Sequence, residues 1–166
     1  MKKIIKEIEV YNFEELEKDI QENLIEKEME YQTEAFCEIF LEEEMTEKAK
    51  ELLQKYFKGK ANLKSVYYSL GYCQGDGAMI AFDLTYYNES LQIKQYGHYY
   101  HYNSFIIDNN WNISEKRNEK LKDKIRGMNQ ELEEFGYNLI ENCIDEKDIV
   151  EMLQENQYLK NGEIYM

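Results

Sequence analysis

The spacing of hydrophobic positions changes twice along the chain. In the first third, apolar side chains recur every three or four residues, which is typical of an amphipathic helix. These side chains are Phe13, Leu16, Ile20 and Leu24. Asn12, with Glu15 three residues later, has the composition of a capping box. We therefore expect a helix to begin at Asn12, after a strand-like stretch over residues 4–10.

Helical spacing continues through the rest of this third. The apolar residues that carry it are Ala35, Phe36, Ile39 and Phe40. Thr46 then has the character of an N-cap for a further helix, which Gly59 would end. The first third is therefore predicted to be helical.

The middle of the chain is rich in Tyr, Val, Ile and Phe and poor in charge, which favours strands. The predicted strands are residues 63–72, 78–87 and 91–108. Gln74, Gly75, Asp76 and Gly77 have the composition of a first turn, and residues 88–90 that of a second. This pattern predicts three antiparallel strands.

The last third returns to helical spacing, with apolar residues alternating four and three positions apart. They are Leu121, Ile125, Met128, Leu132, Phe135 and Leu139. Asp145 is predicted to cap one more helix, with Ile144 and Ile149 as a hydrophobic staple, and Gly162 to open a short tail. The whole pattern predicts an α+β fold in which N- and C-terminal helices pack on a three-stranded antiparallel sheet, with or without short terminal strands.

Composition supports one globular domain over residues 1–166. The chain is 43% hydrophobic and 14% aromatic, which is too apolar for a disordered segment. Its apolar runs are far shorter than the roughly 18 residues of a membrane span. No secretion signal is visible, and Cys37, Cys73 and Cys143 are widely spaced and odd in number. We therefore expect reduced thiols, a cytoplasmic location and no membrane partner.

Net charge changes the functional picture more than size does. The chain carries −14 overall, and residues 12–47 contain fourteen acids against two lysines. A phosphate backbone would be repelled by such a surface, so direct nucleic-acid binding through it is not expected. Glu42, Glu43 and Glu44 are candidate protein-binding residues, although a solvated helix face is the commoner outcome for a charge run. The DxDxDG spacing of a calcium loop is absent, and no metal or other cofactor is predicted.

The most unusual short segment is the turn from Gln74 to Gly77. As a structural element, Asp76 and Gly77 would form a tight turn and Gln74 would hydrogen-bond the loop. As a functional element, Gln74 and Asp76 would project polar groups beside Tyr72 as a binding edge. No phosphate-loop motif accompanies the glycines.

Both histidines of the chain, His98 and His101, lie in a tyrosine-rich stretch that includes Tyr100. Residues three apart on a regular strand point to opposite faces, which favours separate roles unless Gly97 marks a bulge. With Tyr72, Gln74 and Asp76, these residues are the candidates for an alternative ligand-binding site. A catalytic Cys73 with a histidine base is a further but less favoured alternative.

The motif at residues 68–78 also resembles a family. Small phage and prophage proteins carry an aromatic strand ending in Ser or Cys, followed by Gln-Gly-Asp-Gly-Ala, and residues 73–78 match that hallmark. Residues 10–16, 99–101 and 145–162 resemble other parts of the family. Met79 and Ile80 depart from it, because a small residue and Phe are usual there. Such proteins are often labelled antitoxins, and the resemblance implies a compact accessory protein of phage or prophage origin.

Two functions follow as hypotheses. The first is a stoichiometric inhibitor of a host nuclease or other nucleic-acid enzyme with a basic surface, of the antitoxin, anti-restriction or anti-CRISPR type, without catalytic activity. Its acidic face would imitate nucleic acid. The second is a module that binds or sequesters a nucleotide, or an enzyme, built on the Gln74 turn and the histidine stretch, since tyrosine faces stack bases.

Overall fold

The computed structural model describes residues 7–108 and 114–165 and shows a mixed α+β chain. The α+β class is therefore confirmed. The chain forms two compact units, one from residues 1–37 with 142–166 and one from residues 38–141. The expectation of one domain over residues 1–166 is not tested by this division and stays a prediction.

An antiparallel sheet organises the unit of residues 38–141. Its strands are β2 (Ala61–Ser69), β3 (Gly77–Tyr86), β4 (Glu89–Gln95) and β5 (Phe105–Asp108), in that spatial order. The predicted three-stranded sheet is thus corrected to four strands, because residues 91–108 do not form one strand. The chain leaves the sheet after Gln95, and Gly97 adopts a φ of +82° that a strand does not accommodate.

The connections between strands also differ from the predicted turns. Tyr87 and Asn88 both have positive φ, 50° and 66°, so the β3–β4 hairpin turns through two left-handed residues. The connection from β2 to β3 is a longer loop over residues 70–76, and the predicted turn at Gln74 forms only its second half. Both loops lie in the described part of the chain.

Helices α2 (Leu41–Phe57) and α3 (Glu115–Glu141) pack on this sheet, with the Phe57 and Phe82 ring centroids 5.2 Å apart. The prediction that Thr46 caps a new helix is wrong. Leu41 and Met45 are buried and continue the helical spacing through Thr46, so core packing overrides the cap signal. Lys58 ends α2 in the left-handed conformation.

The unit of residues 1–37 and 142–166 has its own small core. Phe13–Glu15 form a 3-10 turn, in which Glu15 Oε2 accepts from the Asn12 backbone N–H at 2.8 Å. Helix α1 (Lys18–Ile39) begins only after this turn. Helix α4 (Glu146–Gln154) follows, and its predicted cap is confirmed because Asp145 accepts from the Lys147 N–H. The buried cluster is Phe13, Leu16, Ile149, Leu153 and Tyr158.

Two short strands complete this unit. β1 (Tyr11–Asn12) pairs antiparallel with β6 (Gln157–Tyr158), which places short strands near both termini. The predicted strand over residues 4–10 is not confirmed: residues 7–10 form none, and residues 4–6 lie outside the described residues. Residue 166 of the predicted tail also lies outside them. Within the described ranges, no helix has the length and apolar character needed to cross a membrane.

Candidate functional site

Among the described residues, half of β3 has no neighbouring strand on the β4 side. β4 pairs with β3 only from Phe82 to Tyr86, so the buried N–H groups of Ala78 and Ile80 need other acceptors. Asn129 Oδ1 accepts from the Ile80 N–H at 3.1 Å, and Glu133, one turn later on α3, accepts from the Ala78 N–H. Two side chains of one helix therefore take the place of a strand.

The same two side chains hold the loop that replaces the missing part of β4, residues 96–104. Asn129 Nδ2 donates to the Tyr102 carbonyl at 3.2 Å, and Glu133 accepts from the Tyr102 N–H. In addition, the Tyr100 N–H donates to the Gly75 carbonyl at 3.2 Å. Loop 70–76 and loop 96–104 therefore meet beside α3.

Two glycines of the Gln74 turn are required by this close approach. A Cβ on Gly77, whose φ is +147°, would lie 2.7 Å from the Tyr100 carbonyl oxygen and still closer to Glu133 Oε2. A Cβ on Gly75 would overlap the Tyr99 ring. The glycines thus admit a neighbouring loop and a carboxylate, which is a packing role that the sequence pattern did not reveal.

Asp76 closes loop 70–76 from within. Its carboxylate accepts from the Ser69 hydroxyl and from the Cys73 N–H, both at 2.7 Å. These bonds, with the Ser69 hydroxyl contributing most, hold the pKa of Asp76 below its ordinary value. Of the two interpretations of this turn, the geometry therefore favours the structural one for Asp76, whereas Gln74 is exposed.

Tyr72 extends the loop along α3. Its hydroxyl donates to Glu141, and its ring lies against Tyr137 with centroids 4.5 Å apart. The bond to Glu141 is the main cause that raises the pKa of Tyr72. Tyr72 remains 66% exposed and adopts a positive φ of 57°, so this ring is held on the outside of the loop.

The histidines do not lie on a strand, which corrects the prediction for residues 91–108. His98 is exposed on loop 96–104. His101 is half-buried, with its Nδ1 accepting from the Asn103 N–H at 3.3 Å and its ring 3.9 Å from Tyr102. The structure therefore places the two side chains in different surroundings, and the separate roles expected for them stay a prediction.

Glu133 is the most unusual electrostatic feature of this region. It is half-buried, and Oε2 is buried without a hydrogen-bond partner among the described residues. Burial raises the pKa of Glu133, while the Ala78 N–H and the nearby His101 oppose that shift. Sequence reasoning missed Asn129 and Glu133, because their spacing of four beside Met128 and Leu132 is also that of ordinary polar residues bordering an apolar helix face.

We expect Glu133→Gln to change how stability depends on pH. A carboxyl whose pKa is raised in the folded state lowers the free energy of unfolding when it is ionised. This destabilisation is lost as the pH falls from the pKa of the folded state toward 4.5, the ordinary value of the group. Wild type should therefore gain stability relative to the Gln variant between pH 7 and pH 5. Denaturant melts at both pH values measure this, and a difference that does not vary with pH contradicts it.

The predicted acidic residues lie at the start of α2. Glu42, Glu43 and Glu44 occupy its first turn and are exposed, and none forms an ion pair with a described residue. The preceding apolar residues Ile39 and Phe40 are 66% and 50% exposed. A shallow cleft of about 290 Å³ lies here, lined by Ile39, Glu42, Glu43, Thr46 and Glu47.

A larger groove of about 520 Å³ joins the two predicted surfaces. It is lined by residues 63–68 of β2, by Glu42 and Thr46 of α2, and by Tyr100 of loop 96–104. The Tyr67 and Tyr100 rings are nearly parallel, 18° apart, with centroids at 6.1 Å. Glu42 and Tyr100, which belong to different predicted sites, thus share one groove.

No protein-family model, curated protein or solved structure matches the chain. In the described ranges, no group of three or more His, Cys, Asp or Glu side chains is placed to hold a metal ion. Cys73 is exposed, with its thiol 3.6 Å from the Gly71 carbonyl oxygen, and Cys37 and Cys143 are half-buried.

Proposed function

We propose that the chain is a stoichiometric inhibitor that binds a basic surface of a nucleic-acid enzyme through the start of α2. The observation that carries this proposal is the exposure of Ile39 and Phe40 directly beside Glu42 and Glu43. Exposed large apolar residues bordered by charge are typical of protein-binding surfaces. A phage accessory role, in a host cytoplasm, agrees with the resemblance of residues 68–78.

Electrostatics gives this surface a class of partner. The carboxylates of Glu42, Glu43 and Glu44 are clustered in one exposed helical turn, where the positive end of the helix dipole stabilises them. Such a cluster attracts a basic channel that normally holds phosphates, and occupying the channel excludes the substrate. The apolar pair Ile39 and Phe40 would then supply the contact area that charge alone does not.

Replacing all three glutamates by lysine should impair binding. Each Glu→Lys change adds two positive charges, so the net charge rises from −14 to −8. We expect association with a basic nuclease to slow about tenfold or more at low salt. The free energy of unfolding should change by about 0.5 kcal/mol or less per site. The loss of the favourable interaction with the helix dipole adds a destabilisation of similar size. Stopped-flow association across a salt series, with circular dichroism melts, measures both.

The matched control is Glu22→Lys, Glu26→Lys and Glu30→Lys, which makes the same charge change on exposed positions of α1. Both variants are titrated into cleavage reactions of purified restriction and CRISPR nucleases. The proposal is supported if inhibition by the wild-type protein becomes complete at a fixed molar ratio of inhibitor to nuclease. In addition, the control variant must still inhibit, and the Glu42–Glu44 lysine variant must not. Equal loss in both variants, affinity indifferent to salt, or loss only in Gln74→Ala contradicts it.

A nucleotide-binding function is the second candidate, favoured by the near-parallel Tyr67 and Tyr100 rings in the groove beside β2. Aromatic faces stack bases without regard to sequence. A nucleotide at one hundred times its Kd should add about 2.7 kcal/mol to stability. A thermal-shift screen of nucleotides tests this, and an unchanged melting temperature at saturating nucleotide rejects it.

A further inference from the structure

The groove beside β2 follows the edge of the strand rather than one of its faces. Successive residues of a strand point to opposite sides of the sheet, yet all six residues from 63 to 68 line this one groove. Glu42 and Thr46 of α2 also line the groove, as do the nearly parallel rings of Tyr67 and Tyr100. Within the described chain, β2 is the last strand of the sheet on this side.

The register of β2 with β3 shows which backbone groups face the groove. In an antiparallel pair, residues of a non-hydrogen-bonded pair point their N–H and C=O groups away from each other. Ile80 directs its N–H away from β2, to Asn129, and its register partner is Val66. Val66 therefore directs its own N–H and C=O away from β3, into the groove.

The strand is regular where it would have to accept another strand. The register shift in the β2–β3 ladder falls between Leu63 and Ser65, at Lys64, and residues 65–69 pair with β3 without interruption. Lys64 forms an ion pair with Asp83 at 2.8 Å, so its charge is compensated within the sheet. The groove thus combines a strand edge with regular pairing, the carboxylate of Glu42 and the aromatic rings of Tyr67 and Tyr100.

We propose that the β2 edge binds an extended, lysine- or arginine-containing segment of the target protein as an added fifth strand. This proposal rests on the proposed function and specifies how the partner is held. The backbone of Val66 pairs with the segment, Glu42 receives its basic side chain, and Tyr67 with Tyr100 packs on its aliphatic stem. Charge favours this occupant over a second copy of the chain, whose corresponding edge carries the same Glu42 carboxylate and whose net charge is also −14.

The decisive variant is Val66→Pro. It removes the outward N–H but no hydrogen bond to β3, and proline is tolerated at such edge positions. Val66→Ala is the matched control, because it shortens the side chain and keeps the N–H. Short random peptides selected on the wild-type protein serve as the probe, and their affinities are compared across the three proteins.

The proposal predicts selected peptides that contain Lys or Arg, bind Val66→Ala nearly as well as wild type, and bind Val66→Pro about tenfold more weakly. Methylation of alternate backbone nitrogens of the peptide should weaken binding to wild type by a similar factor. This second measurement keeps the test valid even if Val66→Pro fails to fold.

Several outcomes overturn the proposal. The first is a peptide affinity that neither Val66→Pro nor methylation of the peptide backbone changes, and the second is failure to select any peptide. The third is displacement of the peptide by a nucleotide. The fourth is a wild-type dimer that light scattering shows to dissociate in Val66→Pro. If folded Val66→Pro still inhibits a nuclease that the Glu42–Glu44 lysine variant no longer inhibits, the edge proposal fails while the proposed function stands. If neither variant differs from wild type, both fail.

Discussion

Gly77→Ala should be among the most destabilising single substitutions in this chain. The added methyl meets the Tyr100 carbonyl oxygen at 2.7 Å and the Glu133 carboxylate more closely still, and a φ of +147° is a region that side chains rarely adopt. Backbone strain and overpacking together should lower the free energy of unfolding by about 3 kcal/mol or more. Equilibrium denaturation with urea measures the loss.

Gly97→Ala is the matched control for this prediction. Gly97 also has a positive φ, +82°, but no atom lies within 4 Å of its added Cβ. Its cost should therefore be the conformational one alone, about 1 kcal/mol. Equal losses in the two variants would show that the contact of Gly77 with loop 96–104 and Glu133 contributes nothing to stability.

Asn129→Leu is the second substitution with a large expected effect. Leucine has the same branched arrangement of side-chain heavy atoms as asparagine but leaves the Ile80 N–H without its acceptor and the Tyr102 carbonyl without its donor. Each unsatisfied group costs about 1–3 kcal/mol, so the total loss from the two groups should be about 2–6 kcal/mol. Hydrogen exchange should also speed up selectively at the Ile80 amide, because its protecting bond is gone.

The neighbouring substitution Gln130→Leu provides the comparison. Gln130 is exposed on the same helix, so its replacement should change stability by about 0.5 kcal/mol or less. If the Asn129→Leu variant is as stable as the Gln130→Leu variant and exchange at Ile80 is unchanged, the bridging role of Asn129 is disproved. A loss of stability without faster exchange at Ile80 would assign the effect to packing instead.

Local patterns predicted those parts of the fold whose determinants are close in sequence. The apolar repeat from Leu121 to Leu132 predicted α3, and Asp145 predicted the start of α4, because both depend on residues within one or two helical turns. The break between β4 and β5 was missed. Tyrosines across residues 96–102 suggested a strand, although the alternation of buried and exposed positions stops at Gln95.

At the candidate site, too, the features determined by neighbouring residues were predicted and those determined by distant residues were not. The turn from Gln74 to Gly77 was recognisable from its glycines, but its neighbours were not. Asn129 bonds to Ile80 across 49 positions of the sequence, and only tertiary packing brings them together. No local pattern distinguishes Asn129 from an ordinary polar residue at the border of a buried helix face. The shared groove of Glu42 and Tyr100 was unpredictable for the same reason.

The bridge from β3 through Asn129 to loop 96–104 has a spectroscopic consequence. Asn129 bonds to the Ile80 N–H on one side of β3, and Val66, the register partner of Ile80, faces the groove on the other side. A strand added at β2 would polarise the hydrogen bonds across the sheet, which shifts amide resonances. The Asn129 side-chain NH₂ pair in a nitrogen-15 NMR spectrum should therefore report occupancy of the groove without any attached fluorophore.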